Sequence, residues 1–270
     1  MAERIDWSTV LTEAEEIVYS YSTGVTLRQL FYRLVAVHRL PNTQSAYKGL
    51  SSRTAEARRA GTFPDLIDRG RQIHRHAHWA SPKVALAALA RQYRRDRTAG
   101  QDESLYIGVE KAGLVMQLES WFGELGIPIL ALGGYSSQTY VDEVVEDVEG
   151  QDRPAVLLYA GDFDPSGEDI DRDFTARTGC FDKVIRVALN VTQVTEYNLP
   201  PAMGKRTDSR AGRFIDRHGT LVQVELDALP PDVLEALYRE AIEDFWDVSA
   251  YESVLEVETA ERAQLRGALS

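Results

Sequence analysis

Apolar residues recur every three or four positions in the first stretch of the chain. In "WSTVLTEAEEIVYSY", Val10, Leu11, Ile17 and Val18 are set among acids, which predicts an amphipathic helix. Gly24 interrupts the pattern, and Thr26 is placed to cap a second helix, "TLRQLFYRLVAVHRL". Its Leu27, Leu30, Phe31, Leu34, Val35 and Val37 form a broad apolar stripe. Pro41 ends that helix, and Asn42 or Thr43 can cap a third, "NTQSAYKGLSSRTAEARRAG". This third helix has few core-forming positions and carries Lys48, Arg53, Arg58 and Arg59. A strand-like "FPDLIDRGRQIHR" follows, then a linking helix over 84–97, "VALAALARQYRRDR".

After "TAGQDE" the period changes. "SLYIGVE", "GIPILALGG", "PAVLLYAGD" and "KVIRVALN" are short, continuously apolar runs separated by helical stretches. That alternation predicts an α/β fold with parallel strands covered on both faces. In such sheets, chemistry gathers beyond the carboxyl ends of the strands. The first run ends at Glu110 and the third at Asp162 and Asp164, so three carboxylates can meet on one edge. "VQVELDALPPDVLEALYREAIEDFW" predicts a last strand, a Pro-marked turn and an amphipathic helix. The expected division is 1–98 (winged-helix-like, with linking helix), 99–227 (metal-binding α/β) and 228–270 (C-terminal helical extension).

Charge sharpens this division. The chain has 270 residues and a formal net charge of −12. Residues 1–100 hold 16 Lys and Arg against 9 Asp and Glu, a net of +7; the other 170 hold 14 against 33, a net of −19. A basic first third made of three short helices and a strand-like wing suits a DNA-binding winged helix-turn-helix. A basic three-helix bundle that binds protein is the alternative. A second basic cluster, Lys205, Arg206, Arg210 and Arg213, lies in the Pro/Gly-containing stretch "NLPPAMGKRTDSRAGRF" and could meet a DNA backbone. The single Cys180 excludes an internal disulfide and a cysteine-rich zinc site. No apolar run has the length of a membrane span and "MAERIDWSTV" has no signal-peptide core, so a cytoplasmic protein is expected.

Two carboxylates one residue apart repel and raise each other's proton affinity, so a pair such as Asp162 and Asp164 calls for a cation. A divalent ion, Mg²⁺ with Mn²⁺ as substitute, suits hard oxygen donors. His74, His76 and His78 alternate as they would on one face of a strand, but no further ligand accompanies them. They are expected to be solvated or to contact phosphate. The acids after Ser166 suit the first turn of a helix whatever its function.

"IGVEKAG" at 107–113 followed by "GDFDPSG" at 161–167 resembles the Toprim signature, a glutamate after one strand and a DxD pair after a later one. The "DFDPSG" form is similar to the A subunit of type IIB DNA topoisomerases (topoisomerase VI) and the related meiotic double-strand-break protein. "TLRQLFY" at 26–32 resembles their tyrosine motif, with Gln29 where an acid is usual. "GGYSSQTY" at 133–140 is similar to their glycine-rich stretch without its usual arginine. The resemblance spans roughly residues 20–230 and describes a minimal, stand-alone version.

The resemblance implies Mg²⁺-dependent DNA cleavage with Tyr32 as nucleophile, a 5′-phosphotyrosyl intermediate, and Glu110, Asp162 and Asp164 as metal ligands. Arg28 lies one helical turn before Tyr32 and would stabilise the transition state or lower the tyrosine pKa. The resemblance also implies a homodimer on double-stranded DNA, the tyrosine of one subunit meeting the metal of the other. No G-x-x-x-x-G-K-[ST] motif is present, so ATP-driven strand passage would need a separate ATPase subunit. Two alternatives stand beside it: a Toprim nuclease that uses water, with Tyr32 a bystander, and a non-catalytic DNA-binding regulator. A haloacid-dehalogenase phosphatase also opens with D-x-D, but it would leave Glu110 and "TLRQLFY" unexplained.

Overall fold

The computed structural model describes residues 5–21, 24–67, 76–134, 136–201, 211–219 and 222–268. Three helices open the chain: α1 (Trp7–Ser20), α2 (Leu27–Ala36) and α3 (Gln44–Arg59). Each starts where a side chain can take up orphaned amides. Asp6 accepts from Ser8 N in α1, and Thr43 from Ala46 N in α3. In α2, Thr26 and Gln29 form a reciprocal capping box. Gln29 therefore does the acid's usual capping work as a neutral amide, and its Nε2 reaches Gln117 Oε1 at 3.3 Å. In the strand-like stretch after α3, Ile67 makes a single parallel bridge with Thr26, and 64–66 are irregular. Residues 68–75 lie outside the described residues.

The linking helix α4 (Pro82–Gln92) is capped by Ser81 and stops short of its expected end. The arginines beyond it are drawn elsewhere: Arg97 pairs with Glu258 at 2.7 Å and with Glu124 at 2.6 Å.

Four parallel strands follow: β1 (Ser104–Val109), β2 (Ile129–Ala131), β3 (Ala155–Ala160) and β4 (Lys183–Ala188), in the order β2-β1-β3-β4. The α/β fold with a parallel sheet is as expected, and the reason for the continuous apolar runs is visible. Leu105, Ile107 and Val109 of β1, with Val156, Leu158 and Ala160 of β3, face one core; Tyr106, Leu157 and Tyr159 face the other. The first core also contains α1–α3, α5 (Val115–Phe122) and α10 (Pro231–Glu243), the second α6 (Gln138–Glu149) and α7 (Pro165–Thr178). The helices α8 (Val191–Glu196) and α9 (Ala211–His218) follow β4, and α11 (Val248–Ala268) closes the described chain.

The strand expected in "VQVELDAL" is not formed. Val224 makes only a two-bond antiparallel bridge with Phe163, and 226–228 form one 3₁₀ turn. The side chains and amides that would extend a strand are spent on the carboxyl edge of the sheet, as described below. No helix among the described residues is long and apolar enough to cross a membrane.

Candidate functional site

β1 and β3 are hydrogen-bonded neighbours in register, with Val109 opposite Ala160, so the residues that follow them leave the sheet side by side. Glu110 continues the ladder by donating its N–H to Ala160 O at 2.9 Å. Its Oε2 accepts from the backbone N–H of Asp162 at 2.7 Å. Asp162 Oδ1 accepts from Leu226 N at 2.7 Å and lies 3.1 Å from Lys111 Nζ. Asp164 is the N-cap of α7 and accepts from Gly167 N at 2.6 Å, with Pro165 in the first helical position.

Glycines make this crowding possible. A Cβ on Gly167 would lie 2.4 Å from Asp162 O and 3.1 Å from Glu110 Oε2. One on Gly133 would lie 2.5 Å from Glu110 O, which accounts for the glycine-rich stretch without any ligand role. Behind the loop, Arg186 donates to Asp162 O at 2.7 Å and to Leu189 O at 2.9 Å while pairing with Asp171 at 2.6 Å.

The electrostatics follow from burial and from neighbours of like sign. Burial, then Asp162 and Asp164, pushes Glu110 up to about 7. Burial also raises Asp162, against the pull of Lys111 and the Leu226 N–H. Lys111 is the cation of this edge: its Nζ lies 2.9 Å from Asp227, 3.1 Å from Glu225 and 3.1 Å from Asp162. Burial opposes its charge, but Asp227, Asp162 and Glu225 together raise its pKa above the ordinary ammonium value. Burial works against Glu225 too, yet Lys111 and Arg28 hold it below the usual carboxylate range.

Tyr32 belongs to this network within a single chain. It is 2% exposed and lies close to Glu225, the carboxylate that Arg28 grips. Burial first, then Glu225, raises the phenol well above its ordinary value, and Arg28 offsets this only in part. Arg28 thus pairs with Glu225 while also pulling the Tyr32 phenol down against that burial.

The residue types suit a divalent ion. Glu110, Asp162 and Asp164 are hard oxygen donors on adjacent strand ends, and each keeps one carboxylate oxygen free of hydrogen bonds among the described residues. Among the described residues, however, no three Asp, Glu, His or Cys groups are gathered into a ready ligand set. Glu110 is turned to the Asp162 amide, and the ammonium of Lys111 lies against Asp162.

The other candidates are placed more simply. Lys48 and Arg59 are exposed on α3, Arg53 stacks over the Trp7 ring at 4.2 Å, and Arg58 leans back on Thr54 O at 3.3 Å. None of the four makes an ion pair among the described residues. His76 and His78 are exposed. His74, Lys205, Arg206 and Arg210 lie outside the described residues.

Lys111, Glu225, Asp227 and Arg186 are the functional candidates that pattern reading passes over. Lys111 stands next to Glu110 in "IGVEKAG", and Glu225 and Asp227 flank Leu226 at the two-residue spacing of an extended segment. Those are the only signals they carry. No protein-family model matches the chain, and no curated protein matches it.

Proposed function

We propose that the chain is a divalent-cation-dependent DNA-cleaving protein of the Toprim type, built like a minimal topoisomerase VI A subunit with a winged-helix-like DNA-binding unit in α1–α3. The observation that carries this reading is the 2.7 Å bond from Asp162 N to Glu110 Oε2, which ties the glutamate after β1 to the DxD loop after β3. Glu110, Asp162 and Asp164 would hold Mg²⁺ or Mn²⁺, which supplies positive charge to the phosphate oxygens and to the leaving oxygen. Lys111 and Arg28 add fixed positive charge beside that edge. Arg186 holds the carbonyl of Asp162 and thereby the loop. Double-stranded DNA is the substrate that accords with the basic first third of the chain.

The site favours water as the nucleophile. Tyr32 is shut in the core, its proton held by burial and by an already ionised Glu225. The "TLRQLFY" motif has a structural use without covalent chemistry: Arg28 docks α2 on Glu225, Tyr32 is buried in the core, and Gln29 caps the helix and reaches Gln117. A second reading keeps Tyr32 as the nucleophile of a homodimeric cleavage enzyme, with or without an ATPase partner. The nearness of Glu225 to Tyr32 favours it, because Glu225 could accept the phenolic proton as the hydroxyl attacks phosphorus and the deoxyribose oxygen leaves.

The test is to incubate the full chain with supercoiled plasmid and Mg²⁺ or Mn²⁺, then resolve the products with and without protease. Metal-dependent nicks or breaks with free 5′ ends support hydrolysis, and ends that carry protein support the tyrosine. Intact plasmid under all conditions, or cutting unchanged in Asp162→Asn, sinks the proposal.

A further inference from the structure

The strongest unexplained feature is the one cation that bridges the acid edge to helix α2. Lys111 touches Asp162, Glu225 and Asp227, each within 3.1 Å. Glu225 in turn holds Arg28 of α2. The chain Asp162–Lys111–Glu225–Arg28 runs from the proposed ion site to the motif helix, built from segments far apart in sequence. Leu226 N also donates to Asp162, so the 224–227 segment is anchored at both ends of this path.

We propose that Lys111 is an internal counter-cation that competes with a divalent ion for Asp162 and, through Glu225, links occupancy of the acid edge to the docking of α2. The inference rests on the metal-dependent reading above. Its physical basis is charge balance: Asp162 with a neighbouring Glu110 needs a positive partner, and among the described residues Lys111 is the cation whose side chain contacts the Asp162 carboxylate. An ion at Asp162 repels the ammonium, which stays with Asp227 and Glu225. The tighter Lys111–Glu225 pair leaves Glu225 a weaker partner for Arg28, so α2 loosens at that contact. Lys111 acts here as a positioning residue.

Calorimetric titration of the full chain with Mg²⁺ tests the competition without reference to catalysis. Lys111→Met is expected to bind Mg²⁺ about tenfold more tightly than wild type, because it removes a positive charge about 3 Å from a ligand. Without the ion it should melt at a lower temperature, and Mg²⁺ should restore the loss by mass action. Wild-type binding with unchanged or weaker affinity in the variant overturns the inference alone. Absence of binding in both proteins overturns the metal site and the inference with it.

Should Lys111→Met not fold, Asp227→Asn gives the opposite arm. Lys111 then rests more heavily on Asp162, and Mg²⁺ affinity should fall about threefold; a rise overturns the competition. Hydrogen exchange of the peptide covering 27–36 reads the link to α2. Mg²⁺ should speed its exchange in wild type and leave it unchanged in Lys111→Met, and an Mg²⁺-insensitive α2 in wild type overturns the coupling.

Discussion

The backbone N–H of Asp162 donates to Oε2 of Glu110 at 2.7 Å, joining residues from two strand ends that are 52 positions apart in the chain. The bond exists because β1 and β3 pair in parallel and in register up to Val109 and Ala160. It also exists because the start of α7 comes down on the same spot, which only a residue without a side chain permits.

Gly167 is that residue, and it gives the first prediction. A methyl group there would meet Asp162 O, which is fixed by Arg186, and Glu110 Oε2, which is fixed by the Asp162 amide. Neither can yield cheaply. Gly167→Ala is expected to cost about 1–3 kcal/mol, the range for overpacking a filled site, and urea unfolding against wild type measures it. An unchanged midpoint would mean that the loop is softer than its contacts imply.

Tyr32→Phe separates the two nucleophiles. The change removes one oxygen and keeps a ring that packs edge-on to Phe31 at 5.6 Å. Glu225 keeps Arg28 and Lys111, so the stability loss should not exceed about 1 kcal/mol. On the hydrolytic reading plasmid cleavage persists at a rate near wild type. Complete loss of cleavage with an intact thermal transition would restore Tyr32 as the nucleophile.

The sheet was readable in the sequence because strands buried on both faces have no alternative to continuous apolar runs; Leu157 and Leu158 each face a different core. Glu110, Asp162 and Asp164 were readable for a related reason, as charge has to appear where such runs stop. Lys111 and Glu225 were not. A lysine beside a glutamate reads as a local pair, but Lys111 instead reaches Asp162, Glu225 and Asp227. Glu225 and Asp227 sit in a segment whose apolar alternation mimics a strand, and only the tertiary pull of Lys111 and Asp162 makes it a short bridge and a turn. Tyr32 shows the same limit from the other side. Its place on an amphipathic helix says that it is partly buried, but not that Glu225 closes over it.

The proposal that α3 binds DNA makes a prediction about salt. Lys48 and Arg59 are exposed without an ion pair among the described residues, so they are available to phosphates, whereas Arg53 is engaged with Trp7. Lys48→Ala/Arg59→Ala in the full chain is expected to weaken duplex binding and to lower the log–log salt slope by about 0.9 for each phosphate contact removed. Fluorescence anisotropy between low and moderate salt measures the slope. Arg53→Ala should chiefly affect stability, through the lost stacking on Trp7. A slope unchanged in the double variant would assign the α3 face to a protein partner.

The last prediction concerns what ties α11 to the segment that follows α4. Glu258 on α11 is 1% exposed, and its carboxylate accepts from Arg97 Nη2 at 2.7 Å, Arg97 Nε at 3.2 Å and Arg95 N at 3.0 Å, with Arg262 at 2.9 Å. The hydrogen bond from Arg97 is the main cause that lowers its pKa from the ordinary 4.5 to about 2; burial works the other way. The sign of the pH effect follows. A carboxylate whose pKa is depressed by folding contributes stability above its unfolded value and loses it as pH falls through the folded one. Glu258 should therefore contribute fully at pH 7, begin to fail below about 4.5, and contribute little near 2. Glu258→Gln leaves the buried Arg97 guanidinium with only the largely exposed Glu124, and a cost of about 3 kcal/mol at pH 7 is expected. Paired unfolding curves for wild type and variant should differ by that amount at pH 7 and draw together toward pH 2. A gap that stays constant across this range would show that Glu258 contributes through packing rather than through its charge.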